Sequence, residues 1–444
     1  MTIDSDTLTQ PTVAELAARA RVASRQLAKL PHELRNEALI NVAEAIESNS
    51  AKILKANESD CRAAEPAVKA GKMSPAMFAR LRVSHRGIGE MAARIRDVAR
   101  LPDPLGRRLS ATELDAGLVL YKESCPLGVV GIVFESRPDV VPQVASLGLK
   151  SGNAILLKGG VEAAGTNEVL VEIWLESLRR FPSVPSDSIG LLHTRADVMD
   201  LLTLDRDVDL IIPRGSQELV RFVAQTSRIP VLGHGEGICH VYVDRAADLS
   251  KALRIVVDSK VQYPAACNAV ETMLVHKDIA RDFLPKIITK LRDAGVEVRG
   301  CSTTIALLGS SNVMPASQQD WATEYSDLIL SVKIVDDVGE AIAHIDRYGS
   351  RHTETIVTED GEVARRFMDE VDAAGVYHNA STRFADGFRY GLGAELGIST
   401  SKLHARGPVG LEGLTTYKYK LFGDGHIVAE YSSGERQFKH RPLA

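Results

Sequence analysis

Apolar residues in the first hundred positions recur every three or four places among charges, over 12–30, 31–48 and 51–65. Ser74-Pro75 opens a further stretch of the same kind that runs towards Arg100. This period turns one face of a helix to a core, so four helices are expected. The run Leu101-Pro102-Asp103-Pro104-Leu105-Gly106 ends them. Residues 109–121 then alternate in two short runs divided by Asp115-Ala116-Gly117, which reads as a β-hairpin.

From Leu127 the texture changes to short apolar strands at 128–134, 154–157, 188–192, 208–212 and 229–232, separated by helical stretches such as 139–150 and 163–180. Strands alternating with helices predict an α/β fold with a doubly wound parallel sheet. A second series starts at 238–244 and passes through 248–259, 270–276 and 281–294 to about Tyr377. The glycine-rich join at Gly233–Gly237 is the expected domain boundary, and its composition suits a hinge.

Composition narrows the class. A chain of 444 residues with 45% hydrophobic positions can fill the cores of about two to three domains. The net charge is −5, and the 53 basic residues are spread along the chain and outnumbered by 58 acidic ones, so no nucleic-acid partner is expected. Cys61, Cys125, Cys239, Cys267 and Cys301 are odd in number and widely spaced, as free thiols of a reducing compartment would be. A cytoplasmic location is expected: residues 1–10 are polar without a basic start or apolar centre, and no apolar run reaches membrane-spanning length.

Cys267 lies in Tyr263-Pro264-Ala265-Ala266-Cys267-Asn268-Ala269, where small neighbours leave a thiol approachable. A thiolate so placed suits covalent attack on an acyl carbon, while an inert packing cysteine is the alternative that local sequence leaves open. In open parallel sheets ligands bind at the carboxyl ends of strands. Three such ends carry fitting residues: Phe134-Glu135-Ser136-Arg137-Pro138, Leu157-Lys158-Gly159-Gly160 and Pro213-Arg214-Gly215-Ser216. At the second, glycines would let a ligand approach the backbone; at the third, Arg214 and a helix start could hold an anion. None matches Gly-x-Gly-x-x-Gly, and each taken alone also reads as a turn with a solvated charge.

His234-Gly235-Glu236-Gly237-Ile238-Cys239-His240 gathers three metal-binding side-chain types, but the chain has no Cys-x-x-Cys pair and the following residues read as a buried strand. No metal is expected there. No Gly-x-Ser-x-Gly elbow occurs. A cysteine–histidine pair stays open, since His276, His344 and His378 all follow Cys267.

Several ordered blocks carry a family resemblance. They are Cys125-Pro126-Leu127-Gly128 through Pro138, Val208 through Ser216, Pro230-Val231-Leu232-Gly233-His234, Tyr263 through Thr272, Asn379-Ala380-Ser381-Thr382-Arg383-Phe384, and Leu403-His404-Ala405-Arg406-Gly407-Pro408. Over nearly its whole length the chain resembles the gamma-glutamyl phosphate reductases, or glutamate-5-semialdehyde dehydrogenases, a branch of the aldehyde dehydrogenase superfamily. Tyr263-Pro264-Ala265-Ala266 and Arg214-Gly215-Ser216 are closer to the eukaryotic wording than to the common bacterial one.

The resemblance implies NADPH-dependent reduction of L-glutamyl 5-phosphate to glutamate 5-semialdehyde, with phosphate released and Cys267 as nucleophile. It implies an aldehyde dehydrogenase-like fold: a cofactor-binding domain over 1–108 and 126–236, a catalytic domain over 237–383, and a β-hairpin oligomerisation arm over 109–125 and 405–435. Arg137, Arg383 and Asn268 are candidates for holding the substrate, since its carboxylate and phosphate need cationic partners. Ser136, Lys158, Gly159, Pro213, Arg214, Gly215 and Ser216 are candidates for the cofactor, with Lys158 at the ribose and Arg214 at a 2′-phosphate. A homo-oligomer, dimer or tetramer, and a glutamate 5-kinase on a separate polypeptide are the implied partners.

Hydrolytic relatives carry a glutamate that activates the deacylating water, and the corresponding block here places Val231 at that position, with Glu236 five residues on. The alternatives are a hydrolytic aldehyde dehydrogenase acting on a small semialdehyde, and a catalytically silent relative.

Overall fold

A computed structural model describes residues 11–233, 235–311 and 313–443. The N-terminus in which no signal peptide is read and His234 of the histidine–cysteine segment therefore lie outside the described residues. The chain forms two units: residues through Leu232 with Leu392–Leu396 and Val409 onward, and Gly233–Gly391 with Gly397–Pro408.

The first unit opens with helices α1 Val13–Leu27, α2 His32–Ser48 and α3 Ser50–Lys69. In α1, Val13, Ala17, Ala20, Ala23 and Leu27 are buried along one stripe, and a reciprocal Thr12–Glu15 capping box fixes its start. Such a cap contributes about 1 kcal/mol. The single helix expected from Ser74 to Arg100 is two, α4 Pro75–Leu81 and α5 His85–Arg100. The break lies at Ser84, whose extended backbone and side-chain bond from the Gly87 N–H start a new helix. A serine serves there as a cap, a role that apolar periodicity does not register.

The hairpin follows as β1 Arg108–Asp115 and β2 Leu118–Pro126, turning on Gly117 at φ 76°. Next come β3 Val129–Phe134, α6 Val140–Ser151, β4 Ala154–Lys158, α7 Ala164–Leu178, β5 Ile189–Leu192, α8 Arg195–Leu201, β6 Leu210–Arg214 and α9 Gln217–Thr226. Their sheet has the order β5-β4-β3-β6 and is parallel throughout. Every residue of β3 and β4 is buried, which is why both read as continuous apolar runs. The strand expected at 229–232 reduces to a single bridge, Ile211 to Val231.

The second unit repeats the plan with β7 Cys239–Val243, α10 Leu249–Val261, β8 Val270–His276, α11 Lys277–Asp293, β9 Glu297–Gly300, α12 Ser302–Leu308 and β10 Met314–Pro315. It continues with β11 Ile329–Val335, α13 Val338–Tyr348, β12 Thr353–Val357, α14 Gly361–Glu370 and β13 Gly375–His378. These strands form a seven-stranded sheet, β10-β9-β11-β8-β7-β12-β13, parallel at every pairing. Val241, Met273, Phe283, Ile287 and Leu330 are among its fully buried core residues.

After the short antiparallel pair β14 Ile398–Ser399 and β15 Gly407–Pro408, the chain supplies β16 Thr415–Phe422, α15 Val428–Ser432 and β17 Arg441–Leu443. β16 and β17 flank the hairpin in a sheet of order β16-β2-β1-β17. Within the arm expected over 405–435 the long strand ends at Phe422, because Gly423-Asp424-Gly425 turns the chain, with Gly425 at φ 73°. Among the described residues no helix is long and apolar enough to cross a membrane.

Candidate active site

Cys267 sits in the turn that links α10 to β8. The Ala266 N–H donates to the Tyr263 carbonyl at 3.2 Å and the Ala269 N–H to the Ala266 carbonyl at 2.8 Å, so the loop is hydrogen-bonded within itself. The thiol is partly exposed. Its neighbour Asn268 is buried and donates its amide to the Ala385 carbonyl at 2.6 Å. That donor is therefore committed to holding the loop, while the other amide atom, Oδ1, is buried without a partner among the described residues.

The backbone of Cys267 is tightly held. The Cys239 thiol donates to the Cys267 carbonyl at 3.4 Å, and burial pushes the Cys239 thiol well up, which keeps it protonated. Gly237 packs against the same carbonyl so closely that a side-chain carbon would lie 1.9 Å from its oxygen. The Cys267 N–H, by contrast, donates to no protein acceptor among the described residues. An unspent N–H beside an approachable sulfur is the local arrangement that can stabilise charge on an attacked carbonyl oxygen.

Two buried features frame the loop. On its helical side Lys260 of α10 meets Glu271 of β8 at 2.6 Å with both side chains fully buried. Burial pushes the Glu271 carboxyl up to about 8 against the opposing pull of Lys260, and burial pushes the Lys260 ammonium down. Arg383 is the second feature: it is 7% exposed, bonds Gln262 Oε1 through Nε at 2.8 Å, and lies 5.8 Å from the Tyr263 ring centre. Gln262 and Tyr263 lead directly into the cysteine loop. Sequence reading singled out Arg383 but not Lys260, Glu271 or Gly237, whose partners come together only through folding.

In the first unit, the parallel register brings Lys158 beside Val133 and Arg214 beside Phe134, so three strand ends meet at one edge of the sheet. Lys158 is 9% exposed and forms no ion pair among the described residues. Burial pushes its ammonium down, with Glu162 opposing. Pro213 is buried in β6, which is an edge strand where a missing N–H is tolerated.

The other residues at these ends face the protein's own groups. Ser136, at φ 42°, donates its N–H and its hydroxyl to Glu162 Oε1 at 2.7 and 2.6 Å. The Ser216 N–H at the start of α9 donates to Glu135 Oε2 at 2.7 Å, so the anion at that helix end is an internal carboxylate. Arg214 bonds Gln143 at 3.0 Å. The glycines have the same explanation: a side-chain carbon at Gly159 would lie 2.2 Å from the Asn167 amide, at Gly160 2.1 Å from the Glu162 carboxylate, and at Gly215 2.3 Å from the Glu135 carboxylate. The sequence suggested open backbone for a ligand, whereas internal polar side chains fill those places. Arg137 extends from the third residue after β3 and lines a separate cavity with residues of α4 and α5.

Comparison with known proteins sets this architecture in a family. The aldehyde dehydrogenase family profile matches residues 3–299, about two thirds of the chain. The chain belongs to the aldehyde dehydrogenase family. Within that family it is 54% identical over 423 residues to a gamma-glutamyl phosphate reductase of Synechococcus sp. (strain JA-3-3Ab), covering 95% of this chain and 92% of that protein. The crystal structure of the Thermotoga maritima gamma-glutamyl phosphate reductase superposes with a TM-score of 0.89 at 41% identity, over 94% of this chain and all of that one. The Methanocaldococcus jannaschii glyceraldehyde-3-phosphate dehydrogenase GapN, solved with NADP, shares the aldehyde dehydrogenase fold at a TM-score of 0.66 and 16% identity, over 93% and 96% of the two chains. The resemblance carried by the sequence blocks and the expected fold class are both borne out.

Proposed function

We propose that this chain reduces L-glutamyl 5-phosphate to L-glutamate 5-semialdehyde and releases phosphate, the reaction for which its 54%-identical relative is named, with NADPH as reductant. The observation that carries the reading is the partly exposed Cys267 in a loop pinned from both sides, with its own N–H unspent.

The thiolate of Cys267 adds to the acyl carbon; the bond from that carbon to the phosphate oxygen breaks, phosphate leaves, and a thioester remains on the sulfur. The Cys267 N–H donates to the developing oxyanion. Asn268 and Gly237 keep that N–H in place through the Ala385 bond and the close approach to the Cys267 carbonyl. A reduced nicotinamide, when bound, supplies the hydride that converts the thioester carbon to the aldehyde level. Collapse of the resulting tetrahedral carbon expels the thiolate and frees the semialdehyde. Val231 carries no proton acceptor, so that position activates no water and the thioester survives until it is reduced.

Lys158 fits a dinucleotide best among the strand-end residues, being a cation without an ion pair at the carboxyl end of β4. Arg214 would favour a 2′-phosphate, and Pro213, Gly159 and Gly215 shape the edge around it. Ser136 and Ser216 support that edge through Glu162 and Glu135. Arg137 and Arg383 would take the substrate's anionic ends. A cytoplasmic homo-oligomer, built through the sheet that ends in β16 and supplied by a separate glutamate 5-kinase, completes the reading; Tyr419, Leu421 and Phe422 expose apolar surface on that strand.

The test runs the reaction backwards with semialdehyde, phosphate and NADP, following absorbance of the reduced cofactor for the wild-type and Cys267→Ala proteins. Phosphate-dependent turnover that vanishes in the variant is expected. Turnover without phosphate would instead assign a hydrolytic dehydrogenase.

A further inference from the structure

The first unit contains a cavity of about 350 Å³ lined by five arginines: Arg80 and Arg82 at the end of α4, Arg86 and Arg94 on α5, and Arg137 after β3. The lining carboxylates are Glu90 and Asp139. Residues 86, 90 and 94 are spaced by four, so they share one face of α5. Glu90 is already bound to Arg86 at 2.9 Å. Arg82, Arg94 and Arg137 form no ion pair among the described residues, so three arginines without a salt-bridge partner line one space, against a single carboxylate, Asp139, that is likewise in no ion pair. Like charges drawn together repel, and proteins gather them where an anion completes the group.

The backbone beside Arg137 is constrained for this placement. Ser136 adopts a left-handed conformation, costly for a residue with a side chain, and two hydrogen bonds to Glu162 hold it there. Arg137 therefore leaves the strand in a direction fixed by Glu162.

We infer that this cavity is a phosphate-binding subsite in which Arg82 and Arg94 act with Arg137 on a phosphate dianion. A carboxylate has one charge to share among three guanidinium groups, whereas a phosphate offers two charges and three oxygens. The inference rests on the proposed function for the source of that phosphate, which is the group released from the acyl substrate. Arg82 and Arg94 are new as specificity-determining residues. The phosphates of a dinucleotide are the other source of the same chemistry.

Steady-state kinetics of the reverse reaction separate the two. In wild-type protein, Michaelis constants are measured for inorganic phosphate, semialdehyde and NADP, then repeated for Arg82→Gln, Arg94→Gln and Arg94→Lys. The Gln variants are expected to raise the phosphate constant about tenfold each, as loss of a charge-assisted contact does, with Arg94→Lys between them and wild type. The NADP and semialdehyde constants stay within about twofold. Titration of each protein with inorganic phosphate, read by calorimetry, gives the same ranking without turnover.

An unchanged phosphate constant in both Gln variants, or a rise confined to NADP or to semialdehyde, overturns the subsite. A wild-type enzyme that needs no phosphate sinks the proposed function itself, so the two failures are told apart.

Discussion

Gly237 lies against the carbonyl of Cys267 with no room for a side chain, since a carbon added there would stand 1.9 Å from the oxygen. The Gly237 N–H is also fixed, donating to Glu324 Oε2 at 2.8 Å. Alanine can fit only if the cysteine backbone shifts, and displacement of a nucleophile by about 1 Å costs on the order of 100-fold in rate. Gly237→Ala is expected to lower kcat by about that factor and to lower the melting temperature as well, since overpacking against backbone costs about 1–3 kcal/mol, while circular dichroism still reports a folded protein. Full activity in a folded Gly237→Ala protein would show that the carbonyl contact does not position the thiol.

The fully buried Lys260–Glu271 pair tethers the helix and strand on either side of the cysteine loop. Removing one partner leaves the other ionisable group buried without its counter-charge, and such losses run to about 3–5 kcal/mol. Lys260→Met should therefore be strongly destabilised in urea unfolding. The double variant Lys260→Met with Glu271→Leu should recover most of that loss, because no buried charge is left alone. If the double variant is as unstable as the single one, the damage comes from packing and not from charge.

Acid sensitivity has a local source at His344. Burial, with His240 nearby, pushes its imidazole from 6.5 down to about 2, and its ring lies among Trp321, Tyr348 and His240. The unfolded chain binds a proton below pH 6.5 that the folded chain refuses, so stability is present above that pH and is lost as pH falls towards 2. The slope is about 1.4 kcal/mol per pH unit for one proton. Between pH 6 and about 4, His344→Leu is expected to unfold in urea with a pH slope shallower by roughly that amount. Parallel slopes for the two proteins would assign the acid lability to other groups.

Glu162 holds the left-handed Ser136 by two bonds. Glu162→Ala removes both and lets residue 136 relax to an ordinary conformation, releasing roughly 1–2 kcal/mol of strain. Arg137 is then no longer aimed. The expected result is a phosphate Michaelis constant raised about fivefold or more, with a modestly lowered melting temperature, because two bonds to a carboxylate, about 1.5–3 kcal/mol each, outweigh the relieved strain. A lowered melting temperature with an unchanged phosphate constant would make Glu162 a purely structural residue.

Much of the architecture was legible because local pattern and tertiary burial agree. β3 and β4 are apolar runs because both faces are covered, and the hairpin turns at a glycine with φ 76°. The α4–α5 break was missed since helical spacing of apolar residues persists across Ser84, and only the cap discloses it.

At the candidate site, Cys267 stood out through its small neighbours, while its supports did not. Lys260 and Glu271 are eleven residues apart, and Cys239 and Gly237 approach the Cys267 carbonyl from nearly thirty residues away. The strand-end glycines looked like openings for a ligand because sequence cannot show that Glu135, Glu162 and Asn167 return to fill them.

The pairing of β2 with β16 runs from Thr415 opposite Pro126 to Phe422 opposite Val119, joining points on the order of 300 residues apart in the chain. During translation the edge of β2 therefore waits, through the synthesis of an entire second unit, for the strand that will cover it. Until then it is an open template for strands of other nascent chains. Yield from heterologous expression should accordingly depend on temperature and chaperone supply more than on the intrinsic stability of either unit.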